Sequence, residues 1–255
     1  MIELKSFSAG YEHTEILHEI TLNQDLGTLT CIVGPNGCGK STLLKSLIGL
    51  TQPMAGELLL DGLPLPIKKP VEVAKRISYL SQGRSTPDMT VSQLVLHGRF
   101  PHLAYPRRYT QKDREIADRA IDKMQLAPYA RLPLSKLSGG IRQRAYLAMA
   151  LSQCTDYILL DEPTTYLDVS HQLELIELLR RLTRQSKGVI AVLHDLPLAL
   201  RFADRIAVME GGRLVACGTP EEIYRSDILL RVFGVSLARD PETGEYYYRY
   251  PTVTN

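Results

Sequence analysis

The sequence predicts an α/β fold, and three patterns support that prediction. A strand that ends at Val33 leads into a glycine-rich segment, Gly34 to Thr42, and then into an apolar helical pattern. Short apolar runs at Tyr157 to Leu160 and Gly188 to Leu193 are typical of buried strands. An amphipathic helix from about Ser170 to Gln185 separates these two strands, so strands and helices alternate along the chain.

The composition is that of a folded protein. Apolar residues make up 44% and charged residues 23% of the 255 residues, which excludes a disordered, collagen-like or coiled-coil chain. The net charge of +2 does not favour nucleic-acid binding. No apolar stretch approaches the roughly 18 residues of a membrane span, and the N-terminus lacks a secretion signal, so we expect a cytosolic protein. The four cysteines form no Cys-x-x-Cys pair, and we expect them to be buried and reduced.

The first part of the chain predicts short strands joined by turns. Strands are expected at 1–8, 20–26 and 28–33, with a turn at Gly27. The Asp61-Gly62 pair predicts a hairpin, because it suits the positive φ angles of a type I′ turn. A further strand, Ile77 to Ser81, ends at Gln82.

The middle of the chain changes to helical segments with charged faces. They extend from about residue 86 to 134, include a helix at Gln111 to Gln125 and are punctuated by prolines. An alanine-rich helix then follows Ser138-Gly139-Gly140 and ends near Ser152. We interpret residues 86–152 as an inserted helical subdomain.

The last part predicts two hairpins with a helix start between them. Strands at 205–209 and 213–217 flank Gly211-Gly212. Thr219 to Glu222 is a capping box with proline at the first helical position. Residues 240–244 form a turn between two short strands.

One motif predicts a phosphate site. Gly34-x4-Gly39-Lys40-Ser41 matches the P-loop, in which glycines let backbone N–H groups converge on phosphate oxygens. The dipole of the following helix adds to this attraction for anions. We expect Lys40 to reach the β and γ phosphates of a nucleotide and Ser41 to bind Mg²⁺.

Two further groups suit the same chemistry. Asp161 and Glu162 follow a buried strand at its carboxyl end, where α/β sheets bind ligands. Asp161 suits Mg²⁺ through a water molecule, and Glu162 suits a general base. Ser138, Gly139 and Gly140 precede a helix and form a second anion-binding N-terminus, although one subunit does not need two for one nucleotide.

In this order the motifs resemble those of the ATP-binding-cassette (ABC) ATPases, and the resemblance covers almost the whole chain. It assigns Walker A to Gly34 to Thr42, Walker B to the strand before Asp161, and the signature to Ser138 to Gly140. The aromatic loop, Gln loop, D-loop and switch histidine are then assigned to Tyr11, Gln82, Tyr166 to Asp168, and His194.

The resemblance implies the ligands and their residues, with ATP and Mg²⁺ as cofactors. ATP is expected to contact Tyr11, Gly34, Pro35, Asn36, Gly37, Cys38, Gly39, Lys40, Ser41, Thr42, Gln82, Ser138, Gly139, Gly140 and Asp168, with Tyr11 stacked on adenine. Mg²⁺ is expected at Ser41, Gln82 and Asp161. In catalysis Glu162 would activate water, while His194 and Lys40 contact the γ-phosphate.

The resemblance also implies the fold and the partners. The expected fold is a P-loop NTPase with a RecA-like core, an antiparallel β subdomain and the helical insertion. Residues 1–255 would form one nucleotide-binding domain, with core and β subdomain in 1–85 and 153–255 and the helical subdomain in 86–152. Two copies would pair head to tail and bind two transmembrane permease subunits, and thus indirectly a substrate-binding protein, at the cytoplasmic face of the inner membrane as a peripheral subunit.

The segments around the D-loop and around His97 to His102 look like those of importer ATPases for iron-siderophores, haem and cobalamin. We expect the cargo to be an iron-siderophore, with haem and cobalamin as alternatives. Ile141 departs from the family, which usually has Gln there. Because Ile141 follows the phosphate-facing Ser138 and glycines, we expect ATP binding to be retained.

Two other classes of function are weighed against this one. A P-loop kinase or GTPase acting alone would have no use for Ser138 to Gly140. A non-transport ABC ATPase that remodels nucleic acid usually carries two cassettes or a long coiled coil, and this chain has neither. Arg99, Arg107 and Arg108 could form a basic patch, but we favour a loop that faces solvent or the permease, and we expect no nucleic-acid partner.

Overall fold

The computed structural model describes residues 1–83, 86–165 and 167–249. Its strands are β1 (Ile2–Tyr11), β2 (Thr14–Gln24), β3 (Leu29–Val33), β4 (Gln52–Leu60), β5 (Leu63–Pro64), β6 (Ile77–Leu80), β7 (Tyr157–Leu160), β8 (Gly188–Val192), β9 (Arg205–Glu210), β10 (Arg213–Gly218), β11 (Ser236–Arg239) and β12 (Tyr246–Arg249). Its α-helices are α1 (Lys40–Ser46), α2 (Pro70–Ala74), α3 (Val91–His97), α4 (Gln111–Lys123), α5 (Gly139–Ser152), α6 (Val169–Thr183), α7 (Leu196–Phe202), α8 (Pro220–Arg225) and α9 (Ile228–Phe233).

A six-stranded sheet forms the centre of the molecule. Its strand order is β10-β9-β3-β8-β7-β6, and every pairing is parallel except that of the edge strand β10. All residues of β3, β7 and β8 are buried, because helices cover one face of this sheet while α1 and a second sheet cover the other. The carboxyl ends of β3, β8, β7 and β6 lie side by side at one edge, so the segments that follow these strands meet there. The α/β prediction is confirmed.

A second sheet is antiparallel, with the order β2-β1-β4-β5. The turn between β4 and β5 has φ angles of 54° at Asp61 and 76° at Gly62, and the hairpin predicted there is confirmed. The sheet packs its apolar face over α1 and the central sheet, in a cluster that includes Leu4, Leu43 and Ile190. It therefore holds β1 and β2 beside the P-loop.

The boundaries predicted for the first two strands are wrong. The structure extends β1 to Tyr11 and starts β2 at Thr14, so the two form one long hairpin. The pairing register shifts three times between Leu4 and Gly10, and Ser6 and Glu19 adopt left-handed backbone at φ 46° and 54°. These bulges interrupt the alternation of apolar and polar residues. The sequence pattern therefore ended the first strand too early and started the second too late.

The helices α3, α4 and α5 pack on one another and on the central sheet. Their buried residues, such as Val91, Ile121 and Ala145, belong to the same apolar cluster as Leu29 of β3 and Ile158 of β7. The predicted helices over 111–125 and up to Ser152 are confirmed with small shifts of their ends. The division of the chain into subdomains at residues 85 and 152 stays a prediction.

The C-terminal elements follow the sequence patterns closely. Thr219 Oγ1 accepts the N–H of Glu222 at 3.3 Å, and Glu222 Oε2 accepts the N–H of Thr219 at 2.7 Å, so the predicted capping box is present. The hairpins β9–β10 and β11–β12 are also confirmed. Residues 250–255 lie outside the described part of the chain.

Three of the four cysteines are at least partly buried, as expected from the sequence. Cys31 and Cys38 are buried and Cys217 is half-buried, but Cys154 is exposed, so the expectation of four buried cysteines is wrong for Cys154. Cys154 lies beyond the end of α5 in a left-handed conformation, at φ 57°, where the chain turns toward β7.

None of the described helices is long and apolar enough to cross a bilayer.

Candidate functional site

The P-loop connects β3 to α1 at the carboxyl edge of the central sheet. Gly37 and Gly39 have φ angles of 77° and 100°, which side chains rarely adopt. A Cβ atom on Gly34 would lie 2.4 Å from the carbonyl oxygen of Met209. The glycines at 34, 37 and 39 therefore allow the tight loop that directs backbone N–H groups toward a phosphate.

Lys40 is held inside this loop. Its side chain is buried, and its Nζ donates to the carbonyl oxygens of Gly34 and Pro35, both at 2.8 Å. These bonds place the ammonium group over the loop, where a phosphate oxygen would also receive a hydrogen bond from it. Neighbouring Cys38 has a packing role, since burial raises the pKa of its thiol and keeps it protonated.

Asp161 lies against the first turn of α1. Its Oδ1 accepts a hydrogen bond from Ser41 Oγ at 3.0 Å, and its Oδ2 accepts one from Tyr79 Oη at 3.1 Å. Asp161 is buried, and its backbone N–H donates to the carbonyl oxygen of Leu80 at 2.8 Å. The two strands β6 and β7 thus fix the carboxylate beside the P-loop serine.

Glu162 is the most constrained residue of the site. Its φ angle is 50°, a left-handed conformation that costs a non-glycine residue about 1–3 kcal/mol. Its carboxylate accepts from Gln82 Nε2 at 2.5 Å and Thr165 Oγ1 at 3.3 Å, and its Oε1 lies 2.6 Å from His194 Nε2. Strain of this kind clusters at active sites, where the surrounding structure enforces it.

A cavity of about 680 Å³ joins these groups. Of the residues predicted to bind ATP or act in catalysis, it is lined by Tyr11, Asn36, Gly37, Gly39, Lys40, Ser41, Thr42, Gln82, Glu162 and His194. Tyr11 is 40% exposed at the end of β1, which suits an aromatic platform for a base. The fold therefore brings together residues that lie up to 183 positions apart, from Tyr11 to His194.

The signature residues lie elsewhere. Ser138 caps α5, and its Oγ accepts the N–H of Ile141 at 3.4 Å. Ser138 and Gly139 are exposed, and of the described residues that line the 680 Å³ cavity, none belongs to 138–140. Gly139 instead lines a smaller cavity of about 170 Å³ together with Gln82 and Glu162, so the start of α5 lies beside the P-loop cavity and not in it.

The D-loop is described only in part, because Tyr166 lies outside the described residues. Asp168 caps α6, and its Oδ1 accepts from the backbone N–H of His171 at 2.9 Å and lies 2.7 Å from His171 Nδ1. The backbone hydrogen bond from His171, followed by the contact with its ring, lowers the pKa of Asp168. The His171 ring also packs on Gly140, where a Cβ would come within 3.2 Å of it.

Sequence reasoning missed three residues of the site. Ile16 lines the cavity, Tyr79 binds Asp161, and Thr165 binds Glu162. Tyr79 lies in the strand that ends just before Gln82, beside the strand that ends at Asp161, and this position is a signal that could have identified it. The other two depend on the β1–β2 hairpin and on the turn after Glu162, which the sequence pattern did not resolve.

The residues predicted to bind Mg²⁺ offer a hydroxyl, a carboxylate and an amide oxygen, from Ser41, Asp161 and Gln82. Oxygen is the ligand that Mg²⁺ prefers, and this ion usually keeps several waters and uses few carboxylates together with substrate phosphates. Within the described ranges no group of three or more His, Cys, Asp or Glu side chains could hold a metal ion. The donor set therefore fits Mg²⁺ shared with water and nucleotide phosphates.

Comparison with protein families identifies this arrangement. The sequence model of the family described as ABC transporter matches residues 17–165, which is more than half of the chain. The chain belongs to the ABC transporter family. The match covers residues 34–42, Gln82, residues 138–140 and Glu162, whereas Tyr11, Asp168 and His194 lie outside it.

Relatives of known name resemble this ABC protein over most of its length. The probable siderophore transport system ATP-binding protein of Bacillus subtilis is 41% identical over 95% of this chain and 90% of its own length. The ferric enterobactin transport ATP-binding protein of Escherichia coli is 41% identical over 94% of this chain and 90% of its own length.

Solved structures show the same fold. An inward-facing conformation of a putative metal-chelate type ABC transporter aligns with a TM-score of 0.84 and 26% identity, over 98% of both chains. The dimeric structure of a bacterial ABC transporter cassette aligns with a TM-score of 0.74 and 26% identity, over 86% of this chain and 99% of that chain. The predicted P-loop NTPase fold is confirmed, and the chain is a nucleotide-binding ABC ATPase.

Proposed function

We propose that Glu162 is the general base with which this ABC ATPase hydrolyses ATP. The observation that carries the proposal is the position of its strained carboxylate in the P-loop cavity, in contact with both Gln82 and His194. A carboxylate held by two donors at the edge of a phosphate site is oriented to accept a proton from an attacking water.

The other residues of the cavity position the nucleotide. The backbone N–H groups of the P-loop bind the phosphates, and Tyr11 stacks on the adenine ring. Lys40 and His194 contact the γ-phosphate and stabilise the charge that develops as its bond to ADP breaks. Mg²⁺, held by Ser41, Gln82 and Asp161, would neutralise charge on the phosphate oxygens.

The active unit in this proposal is a head-to-tail dimer. Ser138 and Gly139 are exposed at the start of α5, and of the described residues that line the P-loop cavity none belongs to 138–140, although Gly139 lines a smaller cavity beside it. A second copy can bring its signature to the γ-phosphate, so that two nucleotides are enclosed between two chains. Asp168 then lies at the same interface, next to Gly140 through the ring of His171.

We infer that the cargo is a metal chelate, most specifically an iron-siderophore. The names of the two relatives at 41% identity, which refer to siderophore and ferric enterobactin transport, support this inference. The dimer would bind two permease subunits through its helical segment, at the cytoplasmic face of the cell membrane. A separate substrate-binding protein would deliver the chelate, and haem and cobalamin are the alternative cargoes.

One arginine of the suggested basic patch is buried. Of the three arginines of the suggested basic patch, Arg99 is buried, where it pairs with Asp113 at 3.1 Å and donates to the carbonyl oxygen of Ser152 at 2.8 Å. Arg107 lies 4.6 Å over the ring of Phe100. Arg99 is therefore not part of an exposed basic patch.

Purification with its membrane partners tests the cargo. We expect the protein to copurify from mild detergent with two permease subunits. Vesicles in which the cassettes face the lumen should take up a ferric siderophore from the outside when ATP is enclosed in the lumen. Haem and cobalamin serve as competing cargoes in the same vesicles. Uptake of either one in place of the ferric siderophore would show that the cargo assignment is wrong.

Gln82 is expected to couple the site to the permease. It follows β6, contacts Glu162 and leads into the segment that reaches α3. A residue placed between the phosphates and a docking segment can transmit movement between them. We expect Gln82→Ala to reduce permease-stimulated hydrolysis and uptake more than it reduces ATP affinity.

The matched control for this variant is Gln52→Ala, at an exposed position of β4. Nucleotide affinity, stimulated hydrolysis and vesicle uptake are measured on both variants. Full stimulation and full uptake in Gln82→Ala would contradict the coupling role, since an exposed glutamine without one should change little.

A further inference from the structure

The C-terminal hairpin of β11 and β12 is fastened to two helices. Tyr246 packs edge-on against Tyr224 of α8, with ring centroids 5.0 Å apart, and Arg239 lies 5.6 Å over the Tyr246 ring. Arg201 of α7 pairs with Glu245, which immediately precedes β12. Aromatic, cation–π and ionic contacts therefore fix the hairpin against α7 and α8.

The hairpin supplies a hydrogen-bond acceptor for a backbone N–H group in the first turn of α7. The first N–H groups of a helix have no partner within the helix. Leu198 donates its N–H to Asp195 Oδ1 at 2.8 Å, and Pro197 has no N–H to satisfy. The N–H of Leu196 donates to the hydroxyl oxygen of Tyr248 at 3.3 Å. Tyr248 thus completes a cap that Asp195 begins.

His194 stands two residues before Leu196. Its side chain is 45% exposed, so packing does little to fix the imidazole, which lies 2.6 Å from Glu162 Oε1. The position of its Cα atom depends on the backbone that enters α7. A change at the start of α7 will therefore move the imidazole relative to Glu162.

We propose that the C-terminal hairpin positions His194, and that Tyr248 is the positioning residue. Tyr248 acts through the N–H of Leu196. In the described part of the chain, it does not line the P-loop cavity and has no contact with Glu162. Burial raises the pKa of the Tyr248 hydroxyl, so this group is neutral near pH 7. The placement of the ring is independent of the proposed function, and only its effect on hydrolysis rests on that function.

Histidine NMR on the full chain tests the placement directly. Tyr248→Phe keeps the aromatic ring and removes the oxygen that accepts the Leu196 N–H. With ¹⁵N-labelled histidine, we expect the imidazole signals of His194 to shift or broaden, while those of the other five of the 6 histidines stay unchanged. His194→Ala identifies the signals of His194. Unchanged His194 signals in Tyr248→Phe would overturn the proposal.

The matched control is Tyr247→Phe. Tyr247 is the preceding residue of β12, points to the other face of the strand and is 52% exposed. Tyr247→Phe removes the same hydroxyl group as Tyr248→Phe, but from a side chain on the other face of the strand. A disturbance of His194 of equal size in this variant would show that the hairpin does not act through Tyr248.

Kinetics test the consequence. Displacement of a catalytic group by about 1 Å can cost on the order of 10² in rate, and we expect Tyr248→Phe to lower kcat about 10-fold with KM for ATP unchanged. In the His194→Ala background the same substitution should cause no further loss, because Tyr248 acts through His194. A further loss of equal size there would overturn the proposal. If His194→Ala alone leaves kcat unchanged, the catalytic role of His194 fails, while the NMR result still decides the placement.

Discussion

Glu162→Gln should lower the turnover of ATP by about 10² to 10⁴-fold, the usual contribution of a general base. The substitution keeps the size and shape of the side chain but removes its ability to take a proton. The introduced amide can still accept from Gln82 with its oxygen and donate to a neutral His194 with its nitrogen. ATP affinity should therefore stay near its normal value, and the loss should fall on kcat.

Two measurements on the assembled transporter check this result. Nucleotide affinity is measured by equilibrium binding, and phosphate release is measured at saturating ATP. Glu177→Gln, at an exposed position of α6, is the matched control for the loss of a carboxylate. Turnover of Glu162→Gln within a few-fold of the unaltered protein would remove Glu162 from the role of base.

The contacts of Glu162 also show what the sequence could and could not predict about the site. The apolar run before Asp161 marks a buried strand, and a parallel sheet gathers the segments that follow its strands at one edge. The positions of Gln82, Glu162 and His194 could therefore be expected together. The left-handed conformation of Glu162 could not, because nothing in the residue type favours a φ of 50°.

The same distinction holds for the fold. The buried strand β7 was predicted to the residue, because every position is apolar and the run ends abruptly at a carboxylate. The long β1–β2 hairpin was not, since three register shifts hide its alternation. The aromatic Tyr11 at the end of β1 thus reaches the P-loop cavity through a hairpin whose length the sequence pattern did not show.

The position of the signature indicates that a second copy of the chain completes the nucleotide site. Ser138 caps α5 on the surface, and Lys40 lies buried in the P-loop. If each nucleotide takes Lys40 from one chain and Ser138 from the other, two inactive variants should complement each other. Lys40→Ala removes the charge at the γ-phosphate, and Ser138→Arg places a long side chain over the signature helix start.

Mixed dimers of these two variants should recover hydrolysis that neither homodimer has. In a mixed dimer one composite site carries both substitutions, whereas the other carries none and should trap one nucleotide per dimer. Each homodimer carries a substitution in both sites, so neither of its sites should trap a nucleotide that can be hydrolysed. The measurements are phosphate release and the stoichiometry of trapped ATP, after the two variants with different affinity tags are mixed and purified through both tags.

The mixed-dimer result separates two arrangements of the site. If Lys40 and Ser138 served one nucleotide within a single chain, every chain in the mixture would still carry a damaged site, and neither activity nor trapped nucleotide would return. Lys45→Ala, further along α1, is the matched control for the loss of a lysine and should be active as a homodimer. Recovery in the mixed dimer alone follows only from a site shared by two chains, because no other arrangement places both substitutions in one site and leaves the second intact.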